Sequence, residues 1–142
     1  MGKKKVILDT NVLISAFGWE GNARTILRSA LKGHIEIVIS KKQMKEFQRV
    51  LEYPKFGFTD DQKKNILSSI FLIATIVETK KELSIIHDDP DDNMLLETAS
   101  EHDVDFIITG DEHVLRVRQI GKTVITAPTG FLKQYYEMGE IL

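Results

Sequence analysis

The first apolar run of the chain, Val6-Ile7-Leu8, is continuous rather than alternating and ends at Asp9. Such a run predicts a short strand buried on both faces. Thr10 and Asn11 follow with helix-start chemistry. Ala23, Ile26, Leu27, Ala30 and Leu31 recur at helical spacing, and Gly33 stands where a C-terminal cap belongs. Ile35 to Ile39 reads as a second strand, after which Ser40 caps a helix running to about Glu52, stopped by Tyr53-Pro54. Thr59, with Gln62 after it, opens another helix whose apolar content thickens through Ile66, Ile70 and Ile73. A third strand is expected near Thr75 to Glu78. Asp89 and Pro90 start a helix carried by Leu95, Leu96 and Ala99, and Phe106-Ile107-Ile108 forms a fourth strand. Gly110 turns the chain into a short helix from Glu112 to Val117, Val124 and Ile125 complete a fifth strand, and Pro128 begins a closing helix through Phe131, Leu132 and Tyr135.

Strands alternating with helices imply a largely parallel α/β sheet. No repeat, low-complexity tract or linker interrupts the pattern, so residues 1–142 are read as one domain, long enough to bury a core without staples. With 19 Lys plus Arg against 21 Asp plus Glu the net charge is −2, so any affinity for phosphate has to be local or metal-mediated. Cysteine is absent, which removes disulfides, thiolate nucleophiles and cysteine-based zinc sites. The apolar residues after Lys3-Lys4-Lys5 are too few for a signal peptide, and the stretch Ile70 to Val77 is far below membrane-spanning length. These features predict a soluble, cytoplasmic protein.

Four acids carry the candidate chemistry: Asp9, Glu46, Asp92 and Asp111. In open parallel sheets ligands bind beyond the carboxyl ends of the strands. Asp9 ends the first strand and Asp111 follows the Phe106 strand after one glycine, so both are expected at the same edge, although capping the next helix accounts for each singly. Asp92 shares i, i+3, i+4, i+7 spacing with Leu95, Leu96 and Ala99, which turns its carboxylate toward the sheet, where a charge needs a partner. Asp91 needs no more than the helix dipole to explain it. Glu46 falls at the rim of the face formed by Met44, Phe47, Val50 and Leu51, where a solvated glutamate is the simpler reading. Carboxylates gathered at one edge repel one another unless divalent cations occupy them. Asp88 and Asp89 read as caps or solvated residues, and spacing directs Glu97 and Asp105 elsewhere. Of the four histidines only His113, two residues beyond Asp111, stands near this set.

Together, Asp9-Thr10-Asn11-Val12, Glu46 with Val50-Leu51, Asp89-Pro90-Asp91-Asp92-Asn93 with Leu95 and Ala99, and Thr109-Gly110-Asp111 resemble a PIN domain, from about Lys5 to Leu132. Gly21-Asn22-Ala23-Arg24, Tyr53-Pro54-Lys55-Phe56 and Ala127-Pro128-Thr129-Gly130-Phe131-Leu132 are similar to the stand-alone members described as toxins of toxin–antitoxin systems. The resemblance implies a three-layer α/β/α fold with a central parallel five-stranded sheet, and a Mg²⁺- or Mn²⁺-dependent ribonuclease. It makes Asp9, Glu46, Asp92 and Asp111 the catalytic metal ligands, with Thr10 or Asn11 as polar support. Where many relatives carry a further acid this chain has His113, which bears on a second metal position. The resemblance further implies an antitoxin protein as partner and a homodimer, for which Phe56, Phe58 and Phe71 could supply the interface as easily as the core.

The chemistry expected is in-line hydrolysis of an RNA phosphodiester to a 5′-phosphate and a 3′-hydroxyl. Flanking cations would position the backbone, with Lys45, Arg49 and Arg24 as candidates, each otherwise an ordinary solvated residue. A haloacid-dehalogenase-like phosphatase requires an aspartate where this chain has Asn11, and glycine-rich phosphate loops are missing. Three alternatives stay open: a histidine-pair nuclease insensitive to chelators, a non-catalytic RNA- or protein-binding module of the same fold, and a nuclease acting on DNA or structured nucleic acid.

Overall fold

The computed structural model describes residues 2–80 and 90–137, and the side chains of all of these except residues 90–92, 136 and 137. Strand β1 (Lys4–Leu8) leads through helices α1 (Thr10–Gly18) and α2 (Asn22–Leu31) to β2 (Ile35–Ser40). Helix α3 (Lys41–Leu51), a 3₁₀ turn at Pro54–Phe56 and helix α4 (Asp60–Ile73) follow, then β3 (Ala74–Val77). Helix α5 (Pro90–Glu101), β4 (Phe106–Ile108), α6 (Glu112–Leu115), β5 (Gln119–Ile120), β6 (Thr123–Thr126) and α7 (Pro128–Glu137) complete the chain. The cap predicted at Asp89 lies outside the described residues.

The sheet order is β3-β2-β1-β4-β6-β5. All pairings are parallel except β5 with β6, which run antiparallel with Gln119 opposite Val124 and Ile120 opposite Thr123. The sheet therefore has six strands, not the five expected, and is mixed at one edge. The extra strand is two residues long and joined to β6 through Gly121 at φ 56°, a left-handed position that glycine adopts without strain.

The continuous run in β1 is buried on both sides, as predicted: Val6, Ile7 and Leu8 are at most 1% exposed. Val6 and Leu8 join Ile37, Ile39, Phe106 and Ile108 under helices α1, α2, α3, α4 and α7. Ile7 joins Val38, Ile107 and Ile125 under Leu95, Leu96 and Ala99 of α5 and Val114 of α6. The alternation of side chains along each strand thus builds two cores and the expected three layers. Among the described residues no helix is long and apolar enough to cross a membrane.

Sheet order reverses between β1 and β4, since β2 and β3 extend from one side of β1 while β4, β6 and β5 extend from the other. A switch point of this kind opens a crevice beyond the carboxyl ends of the two strands, because the connections leave in opposite directions. Asp9 follows β1 and Thr109 follows β4 at that crevice.

Candidate functional site

Main-chain bonding fixes the edge first. Asp9 N–H donates to the Ile108 carbonyl at 2.9 Å, so the pairing of β1 with β4 continues to the first acid. The Asp9 side chain then accepts from Asn11 N–H at 2.9 Å and caps α1. Its other oxygen accepts from the Thr109 hydroxyl at 2.6 Å. Thr109, fully buried, uses the same Oγ1 to accept from Asp111 N–H at 3.0 Å. Asp111 Oδ1 in turn accepts from His113 N–H at 2.8 Å, capping α6. One hydroxyl therefore couples the two acids. Both also cap helices, so the simpler account of each is correct and compatible with a further role.

Asp9 and Asp111 line a single cleft of about 520 Å³ with Asn11, Val12, Ser15, Asn22, Ala23, Gly110, Pro128 and Thr129. The starts of α1, α2 and α7 and the residue that caps α6 all contribute to it. His113 stands exposed beside the rim, its Nδ1 3.8 Å from Asp111 Oδ1.

Glu46 lies on α3. The helix is capped by Ser40, and Gln43 Nε2 donates to the Leu8 carbonyl at 2.6 Å, which anchors the first turn of α3 beside Asp9. Met44, Phe47, Val50 and Leu51 are buried as the periodicity required, and Glu46 at their rim is half-buried with Oε2 shielded from solvent. Glu46 is not among the described residues lining the cleft. The side chain of Asp92 lies outside the described residues, as do Asp88 and Asp89, while Leu95, Leu96 and Ala99 on its predicted face are all buried. Among the described residues no three acids or histidines come together closely enough to hold a metal ion.

The supporting residues divide. Asn11 lines the cleft, whereas Thr10 is 4% exposed and its hydroxyl has no hydrogen-bond partner among the described residues. Lys45 and Arg49 are exposed on α3. Arg24 is half-buried, and it donates through Nε to the Ala16 carbonyl at 3.0 Å and through Nη2 to the Phe17 carbonyl at 2.8 Å. Asp105, set aside on spacing, does lie elsewhere, accepting from Lys5 N–H at the amino end of the sheet. Glu97, set aside by the same argument, is only 6% exposed.

Sequence reasoning did not single out Gln43, Ser15, Asn22 or Thr129 as site residues. The position of Asn22 and Thr129 within the fragments Gly21–Arg24 and Ala127–Leu132 was the available signal.

A family model described as PIN domain matches residues 5–113. The crystal structure of PAE2754 from Pyrobaculum aerophilum is similar in fold, with a TM-score of 0.57 and 11% sequence identity, covering 96% of this chain and 99% of that one. No curated protein matches the chain.

Proposed function

Because the chain belongs to the PIN domain family, whose members are generally nucleases, we propose that it is a Mg²⁺- or Mn²⁺-dependent endoribonuclease. The observation that supports this reading best is the pairing of Asp9 and Asp111 in one cleft at the switch point of the sheet, joined through Thr109.

The donor chemistry fits a hard divalent cation. Each oxygen of Asp9 accepts one hydrogen bond and retains lone-pair capacity, and carboxylate oxygens are the ligands Mg²⁺ and Mn²⁺ prefer. Asp9 and Asp111, with Asp92 and Glu46, would hold the ion. When bound, such an ion makes a coordinated water more acidic and offsets charge on the phosphate.

The chain itself supplies position. The Thr109 hydroxyl and the Asn11 main-chain N–H fix both oxygens of Asp9, and the cap on α6 fixes Asp111, so neither carboxylate has to reorganise during reaction. Water adds to phosphorus in line with the departing O3′. The P–O3′ bond breaks and leaves a 5′-phosphate and a 3′-hydroxyl. Lys45 and Arg49 provide cations on the exposed face of α3 to hold flanking phosphates.

The likeness of Gly21–Arg24 and Ala127–Leu132 to stand-alone toxins supports a toxin of a toxin–antitoxin pair, with a small protein antitoxin occluding the cleft and a cytoplasmic site of action. A homodimer belongs to the same reading. Phe71 and Leu72, 54% and 86% exposed at the end of α4, favour it over Phe56 and Phe58, which are half-buried against Trp19.

The deciding experiment is cleavage of a mixed RNA pool, with DNA in parallel, by wild type and Asp9→Asn, with and without EDTA. Asparagine keeps the helix cap, so the fold is retained while the charge is lost. Cutting abolished by the substitution and by chelation, with 5′-phosphate ends, is expected. Undiminished cutting by Asp9→Asn overturns the assignment, and cutting of DNA alone overturns the substrate.

A further inference from the structure

The cleft extends well past its two carboxylates. Its lining also includes Ser15 on α1, Asn22 and Ala23 at the start of α2, and Pro128 and Thr129 at the start of α7. There the Asn22 amide donates through Nδ2 to Thr129 Oγ1 at 3.0 Å, across 107 residues of sequence. Asn22 plays no part in capping its own helix, whose cap residue Gly21 makes no side-chain bond. A carboxamide carries two N–H donors and a two-lone-pair acceptor. One N–H is used on Thr129, so Oδ1 and the second N–H remain for a ligand, and the Thr129 hydroxyl keeps its own hydrogen to donate.

Among the described lining residues the charged ones are Asp9 and Asp111. The rest of the lining includes apolar surface from Ala23 and Pro128 and the neutral polar groups of Ser15, Asn22 and Thr129. Apolar walls with a few convergent hydrogen-bonding groups suit a flat, neutral heterocycle, and the volume of about 520 Å³ lies within the range of small-molecule pockets. Among the described residues that line the cleft there is no cationic side chain for a phosphate to meet. The adjacent donor and acceptor of an amide complement the donor–acceptor pairs on base edges, which single-stranded nucleic acid leaves exposed.

We infer that the Asn22–Thr129 part of the cleft is a nucleobase subsite, in which the Asn22 amide reads the edge of the nucleotide beside the scissile phosphate. This rests on the nuclease reading above and adds to it a source of sequence preference. Thr129 is a positioning residue that holds the amide.

The test uses single-stranded RNA randomised at the positions flanking the cut, sequenced after digestion by wild type, Asn22→Ala, Asn22→Asp and Asp9→Asn. Calorimetric titration of wild type and Asn22→Ala with AMP, CMP, GMP and UMP gives a readout independent of cutting. Wild type is expected to prefer one base about ten-fold or more at one flanking position, the scale of a bidentate amide contact. Asn22→Ala flattens that preference and the spread of nucleotide affinities, and Asn22→Asp, which exchanges donors for acceptors, moves it to another base. No preference in wild type, or one unchanged in both Asn22 variants, overturns the subsite. If Asp9→Asn is inactive while the Asn22 variants retain the wild-type preference, only the subsite falls. If Asp9→Asn cuts like wild type, the nuclease assignment falls and the subsite with it.

Discussion

Gln43 Nε2 donates to the main-chain oxygen of Leu8 at 2.6 Å, in a position where both residues are at most 1% exposed. The bond joins the third residue of α3 to the last residue of β1, immediately before Asp9. It does for the helix what the sheet register does for the strands, setting where Glu46 comes to lie relative to the edge. Gln43→Leu keeps volume but leaves a buried carbonyl without this donor, so a loss of about 1–3 kcal/mol is expected. Urea unfolding measures it. A midpoint equal to wild type would show that α3 is held by its apolar face alone.

Thr109 serves Asp9 and Asp111 through one oxygen, and valine reproduces its shape without the hydroxyl. Thr109→Val therefore frees an Asp9 oxygen and leaves the Asp111 N–H without its acceptor. Residues that orient ligating groups typically contribute about 10–100-fold to activity. A fall of that size in kcat is predicted for Thr109→Val, with most activity kept by Thr109→Ser. Equal activity in all three proteins would remove Thr109 from the machinery.

What the pattern of residues made legible was local or periodic. Val6-Ile7-Leu8 announces a doubly buried strand by lacking alternation, and Leu95, Leu96 and Ala99 mark the face of α5 that meets the sheet. β5 escaped because a strand of two residues, Gln119 exposed and Ile120 half-buried, has no period to detect. The burial of Glu97, which stands off the apolar stripe of α5, is likewise not marked by periodicity. Gln43 and Thr109 are polar residues whose burial depends on partners 35 and 100 residues away. No local window contains both halves of such a bond. Arg24 is the converse case, since a cation that the sequence leaves unpartnered bonds to its own neighbourhood in the fold.

The Arg24 guanidinium closes the end of α1 by donating to the carbonyls of Ala16 and Phe17, while Nη1 bonds Glu20 Oε1 at 2.9 Å. A lysine carries one ammonium and cannot reproduce the fork. Arg24→Lys is predicted to lose about 1–3 kcal/mol, measured by thermal unfolding, without change in the ends produced on RNA. The same contact gives a pH signature. The hydrogen bond from Arg24 holds the Glu20 carboxyl below its ordinary value of 4.5. Its contribution is thus fully present above that pH and is lost as pH falls through the lowered folded value. The difference in stability between wild type and Glu20→Gln should accordingly shrink under acid. A difference that grows on acidification would reverse the sign and dismiss the contact.

Asp9 and Asp111 line the same cleft, and a cation held between them would bind the folded chain far better than the unfolded one. Mass action then raises stability with metal concentration, by about 1.4 kcal/mol at ten times Kd. For a chain of 142 residues this corresponds to a rise of about 3–6 °C in Tm. Mg²⁺ or Mn²⁺ should produce that rise in wild type and not in Asp9→Asn, which keeps the α1 cap but lacks the charge. Asp105→Asn provides the comparison, because its carboxylate lies at the amino end of the sheet against Lys5 and Lys122. That variant should respond to metal as wild type does, from whatever baseline its lost contacts set. The measurement needs no substrate, so it separates cation binding from catalysis. A Tm that rises equally in Asp9→Asn would place the cation away from this pair of carboxylates.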